Sequence, residues 1–181
     1  MDIINAGLAL INESGLHNTT MAMIAEKADV GMGTIYRYFE DKNDIINEIY
    51  IHVKEEEASI IFENDIGVDN LKSAFFYYYG RMIDYFRFNP QRFNFLSIYA
   101  FSPLIRNDTK VKVAFNFYKF NQIYNRGLEL EIFKSMTADH LSIFVFSIIS
   151  GWLKSIHSPQ IVVSEDEKSN LLLMAWDSIK R

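Results

Sequence analysis

Apolar residues along this chain recur three and four positions apart rather than in alternation, a spacing that predicts helices throughout. Ile3, Ala6, Leu10 and Ile11 put one apolar face on a first helix over residues 2–14, with Gly15 where a C-terminal cap belongs. Asn18-Thr19-Thr20 offers N-cap oxygens for a short second helix that ends near Ala28. A third short helix follows Asp29-Val30-Gly31 and reaches Phe39, and a long fourth starts after Asp41-Lys42-Asn43 and ends near Phe62. Longer helices are predicted over residues 68–88, 90–101, 108–126, 137–157 and 164–180. The breakers between them are Asn89-Pro90, Ser102-Pro103, Gly127 and His157-Ser158-Pro159. The fold class is all-α.

Composition narrows the chemistry. With no cysteine and four scattered histidines (His17, His52, His140 and His157), no metal site or cofactor is expected. The first residues hold Asp2 and no basic side chain, unlike a secretory signal. The nearly uncharged run Leu141–Leu153 is too short to span a bilayer, so a cytoplasmic protein without a membrane partner is expected. No glycine-rich phosphate loop and no nucleophile-base arrangement points to catalysis, and Glu55-Glu56-Glu57 reads as a solvated helical face.

Residues 21–38 fit a helix-turn-helix position by position. Ala25 must be small where the second helix crosses closely, while Ile24, Val30 and Ile35 fill the wedge between the helices. The wider string of a Gly15-closed helix, Thr19-Thr20, Ile24-Ala25, Gly33-Thr34-Ile35-Tyr36-Arg37-Tyr38-Phe39 and Lys42 resembles the TetR/AcrR family over about 50 of the 181 residues. The rest of the chain matches that family only in layout. The resemblance implies an N-terminal three-helix DNA-binding domain (residues 1–46), joined by a long helix to a helical ligand-binding and dimerisation domain (residues 47–181).

The resemblance also implies roles for single residues. Gly33 lets the recognition helix approach DNA closely, and Thr34 and Arg37, on one helical face, reach base edges in the major groove. Tyr36, Tyr38 and Lys42 match phosphate-contacting positions, and Thr20 presents a hydroxyl to another phosphate. Tyr38 also occupies an apolar position of the pattern, so core packing is its alternative role. Capping is the alternative for Thr20 and Thr34, and a solvated side chain for Lys42. Ile35 and Phe39 are read as core. Asp29 replaces the usual turn glycine, Gly31 replaces the usual capping Ser or Thr, and Met32 stands where a basic residue or proline is common. Residues 1–50 hold three basic and eight acidic side chains, the wrong balance for long-range attraction to DNA.

Aromatic residues make up 15 % of the chain and crowd between Phe75 and Phe133. Leu71, Phe75, Tyr78, Met82 and Tyr85 form one helical stripe, and Phe76, Tyr79 and Ile83 a second, which suits an aromatic cavity with polar tips, with a plain hydrophobic core as the alternative. Candidate ligand-binding residues are Tyr78, Met82, Tyr85, Phe95 and Tyr99, with Phe117, Tyr118, Asn121 and Phe144. Gln122, Arg81 and Arg92 are further candidate polar groups. In the resembled family the last two helices pair with their copies in a four-helix bundle, which implies a homodimer through Phe144, Ile148, Trp152, Leu172 and Ala175. Taken together these readings give a ligand-responsive transcriptional repressor whose partners are double-stranded operator DNA, a small apolar or aromatic effector and a second copy of itself. The alternative is a helical protein-interaction adaptor with weakened DNA binding, and a catalytic role is not expected.

Overall fold

The computed structural model describes residues 3–156 and 164–181. The chain folds into ten α-helices over these residues: α1 (Ile3–Asn18), α2 (Met21–Ala28), α3 (Met32–Tyr38), α4 (Lys42–Ile61), α5 (Leu71–Phe88), α6 (Pro90–Tyr99), α7 (Asn107–Ala114), α8 (Tyr118–Glu129), α9 (Ala138–Ile156) and α10 (Glu165–Ile179). Among the described residues the sole strand-like pairing is one antiparallel bridge, Phe133 with Lys180. No helix among them is long and apolar enough to cross a membrane. The break expected at residues 157–159 lies outside the described residues.

Packing divides the chain into two compact units, Met1–Glu56 with Asn89–Phe115, and Glu57–Phe88 with Asn116–Arg181. This division differs from a boundary at residues 46/47, because α6 packs on α1. In the first unit, Gly15 adopts φ 79°, ψ 158°, a conformation that an L side chain rarely takes, and so interrupts α1 where a cap is expected. One further turn then runs to Asn18. The buried face of α4 carries Ile45, Ile46, Ile49 and Val53. Asn47, on the same face, is satisfied from both ends of its amide. Its Nδ2 donates to the Asn43 and Leu104 carbonyls (2.6 and 3.0 Å), and its Oδ1 accepts from the Arg106 amide (2.9 Å). A buried amide paired in this way ties the α6–α7 connection to α4.

In the second unit α5 is the central helix, packed by α8, α9 and α10. That position explains why both of its aromatic stripes are apolar: Phe75, Tyr78, Tyr79, Met82, Ile83, Tyr85 and Phe86 are all buried. The buried hydroxyls of Tyr79 and Tyr124 pair with each other (O···O 2.6 Å), and burial pushes both phenols up from their ordinary range. On α10, Ser164 and Glu167 form a reciprocal capping box.

Three sequence expectations need correction. The helix expected over 108–126 is two helices, α7 and α8, separated by a 3₁₀ turn at Phe115–Phe117. The break falls where the chain passes from one unit to the other, with no proline or glycine to announce it. Gly127, expected as a breaker, lies inside α8, which ends instead at Leu130 and Glu131 (φ 56°). Glycine is required there for space, since a Cβ would sit 2.1 Å from the Phe133 ring. The run Glu55-Glu56-Glu57 is solvated only at Glu55. Glu56 accepts from Arg92 Nε (2.7 Å), and Glu57 is 1 % exposed.

The Phe133 ring packs between Tyr124 and Trp176, so it has little room to yield. Gly127→Ala is expected to destabilise the second unit by about 1–3 kcal/mol, the usual cost of overpacking, as measured by urea denaturation. An unchanged midpoint and slope would show that the ring moves freely.

Candidate nucleic-acid interface

The geometry of the α2–α3 segment begins with its caps. Thr20 Oγ1 accepts from the Met23 amide (3.2 Å), so its hydroxyl caps α2. At the other end Asp29 takes the left-handed conformation (φ 57°, ψ 47°), with its amide on Glu26 O (3.1 Å) and the Val30 amide on Ala25 O (3.0 Å). This is the Schellman arrangement with aspartate in the glycine position, and Val30, half-buried, supplies its apolar contact residue. Gly31 caps α3 without a side-chain hydrogen bond, as its lack of a hydroxyl requires.

Ile24, Ala25, Ala28 and Ile35 are buried, as their places in the wedge demand, and Phe39 is half-buried rather than fully enclosed. Burying Ile35 orients α3, and the opposite face is left to solvent. That face holds Gly33, Tyr36 and Arg37, while Thr34 is half-buried. A Cβ on Gly33 would meet nothing within 4 Å, so the fold itself does not require glycine there. Tyr38 is 63 % exposed, which removes core packing as its role. Its hydroxyl accepts from Arg37 Nη2 (3.0 Å), and the guanidinium lies over its ring, 4.8 Å from the centroid.

Lys42 is not a merely solvated side chain. Its Nζ donates to the Leu16 and His17 carbonyls (2.9 and 3.3 Å), joining the start of α4 to the end of α1. Two of its three N–H donors are thereby used. Charge pairing offsets part of the acidic balance. Lys27 pairs with Glu13 (2.8 Å), and Arg106 with Asp44 (2.7 Å), where the hydrogen bond from Arg106 lowers the Asp44 carboxyl below its ordinary pKa.

The candidate ligand residues are divided between the two units. Phe95 and Tyr99 belong to the first unit, where the Tyr99 hydroxyl accepts from the Leu16 amide (3.3 Å), because α6 packs on α1. In the second unit Tyr78, Met82 and Tyr85 are buried on α5, and Phe117 packs against Phe62 and Phe120. Tyr118, Asn121, Gln122 and Phe144 lie at the surface. Arg81 and Arg92 are committed elsewhere, Arg81 to Ile60 O and Glu63 (2.7 Å each) and Arg92 to Glu56. Among the dimerisation candidates, Leu172 and Ala175 are buried within their own subunit. The exposed apolar side chains of α10 are Leu173 and Met174. On α9, Phe144 is 47 % exposed, Ile148 and Trp152 are half-buried, and Ile143 is exposed beside them. The helical pattern of α10 carries two apolar faces, and sequence spacing alone did not say which one the subunit keeps for itself.

A buried wedge, a left-handed turn and a solvent-facing helix with Arg and Tyr at its exposed positions define a helix-turn-helix protein of the nucleic-acid-reading class. Residues 3–49 match the family model for bacterial regulatory proteins of the tetR family, a match that covers the helix-turn-helix part of the chain. It is 40 % identical over 68 residues to a fatty acid metabolism regulator protein of Bacillus subtilis (strain 168), covering 36 % of this chain and 34 % of that protein. It is 48 % identical over 44 residues to the HTH-type transcriptional regulator BetI of Serratia proteamaculans (strain 568), covering 24 % and 22 %. The chain thus spans about a third or less of the length of these relatives. The fold as a whole is similar to a TetR family transcription regulator from Marinobacter aquaeolei VT8 (TM-score 0.89, 16 % identity, 99 % of this chain and 94 % of that one). It is also similar to the fatty acid degradation regulator FadR from Bacillus halodurans (TM-score 0.75, 15 % identity, 97 % and 90 %).

Arg37 and Lys42 separate cleanly as tests. Arg37→Ala is expected to cost about 1–3 kcal/mol of specific DNA affinity and to relax preference at one base position in a binding-site selection. Lys42→Ala is expected to weaken binding to all sequences alike and to lower the salt slope by about one. Because its hydrogen bonds to Leu16 O and His17 O are lost, it should also lower the melting temperature, which Arg37→Ala should not. A sequence-selective defect in Lys42→Ala would argue against phosphate contact.

Proposed function

We propose that this protein is a ligand-responsive transcriptional regulator that acts in the cytoplasm as a homodimeric repressor and leaves its operator when a small apolar or aromatic effector binds. The observation that carries the reading is the solvent-facing side of α3, where Gly33, Tyr36 and Arg37 stand clear of a core anchored by Ile35. Gly33, Thr34 and Arg37 face the major groove in this reading, and Thr20, Tyr36, Tyr38 and the remaining donor of Lys42 meet phosphates. The aromatic interior around α5 supports an apolar effector, and two relatives whose names concern fatty acid metabolism point the same way. Within the second unit Tyr78, Met82, Tyr85 and Phe117 remain the candidates to meet it. A helical protein-interaction adaptor with weakened DNA binding is the second reading, favoured by the net charge of residues 1–50.

Selection of duplexes from a random pool by the full chain tests the regulator reading. Enrichment of a two-fold symmetric sequence, its half-sites roughly one helical turn (34–36 Å) apart, is expected. A pool that stays unenriched at low salt would leave the adaptor reading in its place. Straight-chain fatty acids are the probes for the effector. Their affinity, measured calorimetrically, should fall by about 5- to 150-fold when the selected duplex is present, since linkage acts equally in both directions. Equal affinities would eliminate release by an effector of this class.

The proposed dimer joins the exposed apolar side chains of α9 and α10. Phe144→Glu and Met174→Glu are expected to give folded monomers by light scattering and circular dichroism. Leu172→Glu should instead unfold the subunit, because it puts an unpaired charge in the core. Dimers that persist in Phe144→Glu and Met174→Glu would move the interface elsewhere.

A further inference from the structure

The turn between α4 and α5 is fastened at both of its ends by side chains of the second unit. At the end of α4, Arg81 of α5 donates from Nε to Ile60 O (2.7 Å), a cation set against the carbonyl end of a helix. Phe62, just beyond α4, packs its ring against Tyr78 (5.1 Å) and Phe120 (5.4 Å), from α5 and α8. Asp65 then gathers three donors: the ammonium of Lys119 on α8, the hydroxyl of Tyr78 on α5 (3.0 Å) and the amide of Gly67 (2.9 Å). The Tyr78 hydroxyl also accepts from the Ile66 amide (3.2 Å). Together these bonds join three elements at one carboxylate.

The exposures of the two ions differ in a way that matters. The Lys119 side chain is only 12 % exposed, so its charge depends on Asp65 more than a surface lysine would depend on its partner. Asp65 is about half-exposed, and the hydrogen bond from Lys119, followed by those from Gly67 and Tyr78, holds its carboxyl down at about 2. The depressed value means the carboxylate keeps its partners at every pH above the ordinary carboxylate range. Their contribution is lost only as pH falls from about 3.8 toward about 2.

We propose that Asp65, Lys119 and Tyr78 form a clasp that makes the end of α4 follow α8, so that the second unit's internal arrangement is passed to the helix whose other end begins at Lys42. A displacement of α8 against α5 must either carry the turn with it or strand the Lys119 ammonium, and the second outcome is the costlier. Asp65 and Lys119 are therefore positioning residues, and Tyr78 joins them to the aromatic interior in which the effector is proposed to sit. This inference rests on the regulator reading above.

Hydrogen exchange on the full chain tests it without knowledge of the effector, because coupling must run equally from DNA to the second unit. The probe is the duplex that the wild type enriches from a random pool. In the wild type, saturating duplex is expected to change exchange across residues 62–70 and 118–129 by about fivefold or more. Asp65→Asn and Lys119→Met are each expected to bind the same duplex while the change over residues 118–129 disappears, and Lys119→Arg, which keeps the ion pair, is expected to retain it. Tyr78→Phe, which leaves the ion pair intact, serves where the other variants fail to fold, and should reduce the change. Exchange over 118–129 that ignores DNA in the wild type, or that still responds in both Asp65→Asn and Lys119→Met, overturns the clasp while leaving the regulator reading in place. A wild type that enriches no duplex overturns the regulator reading and the clasp's role with it.

Discussion

The exposed side chains of α3 are aimed by one buried residue, Ile35. It is the fully buried residue of α3, a helix of seven residues too short to be stable in isolation. Its burial contributes on the order of 1.5–3 kcal/mol and fixes the rotation of α3 about its axis. With Ile35 facing inward, residues 33, 36 and 37 must face outward, so the recognition surface is a geometric consequence of the core. The Asp29 turn serves the same end: it sets the angle at which α3 leaves α2, and its Schellman hydrogen bonds satisfy carbonyls at the end of α2.

The electrostatic picture changes once the packing units are known. The first 50 residues are strongly acidic, but the first unit also includes residues 89–115, which hold four basic side chains (Arg92, Arg106, Lys110 and Lys112) against Asp108 alone. Arg92 and Arg106 are spent on Glu56 and Asp44. Ion pairs this exposed contribute little stability, yet they remove two carboxylates from the field that an approaching phosphate would meet. The unit still carries more acid than base, so its attraction for a polyanion at long range remains poor.

Much of this was legible in the sequence, for identifiable reasons. The helix-turn-helix announces itself through local constraints: a small residue at Ala25, capping oxygens at Thr20, a residue tolerant of left-handed backbone at Asp29 and apolar wedge residues at fixed offsets. Helix existence followed from periodicity, and it failed where the cause was tertiary. The 3₁₀ break at Phe115–Phe117 has no local signal, and Gly127 reads as a helix end although it is there to admit the Phe133 ring. Periodicity also cannot rank two apolar faces on one helix, which is why Leu172 and Ala175 looked outward in sequence and lie inward in the fold. Asp65 and Lys119 are 54 residues apart, and nothing in either neighbourhood connects them.

The division into units bears on how a signal crosses this molecule. Sequence layout suggested that α4 alone joins the DNA-binding part to the rest, but α6 and α7 belong to the first unit, so the chain passes between units three times, near residues 56, 88 and 115. Each crossing has a distinct character: α4 is a continuous helix, Phe88–Asn89–Pro90 is a proline-marked helix break, and Phe115–Phe117 is a 3₁₀ turn. A continuous helix transmits rotation and translation at its ends with little loss, whereas a break absorbs them in a few dihedral angles. Under the proposed regulator function, the continuous crossing matters most, provided its far end is held. Within the second unit Arg81, Phe62 and Asp65 supply that hold, while Lys42 and the buried face of α4 supply it in the first. Under the proposed regulator function, an α4 held within each unit is the element through which the second unit would act on α3.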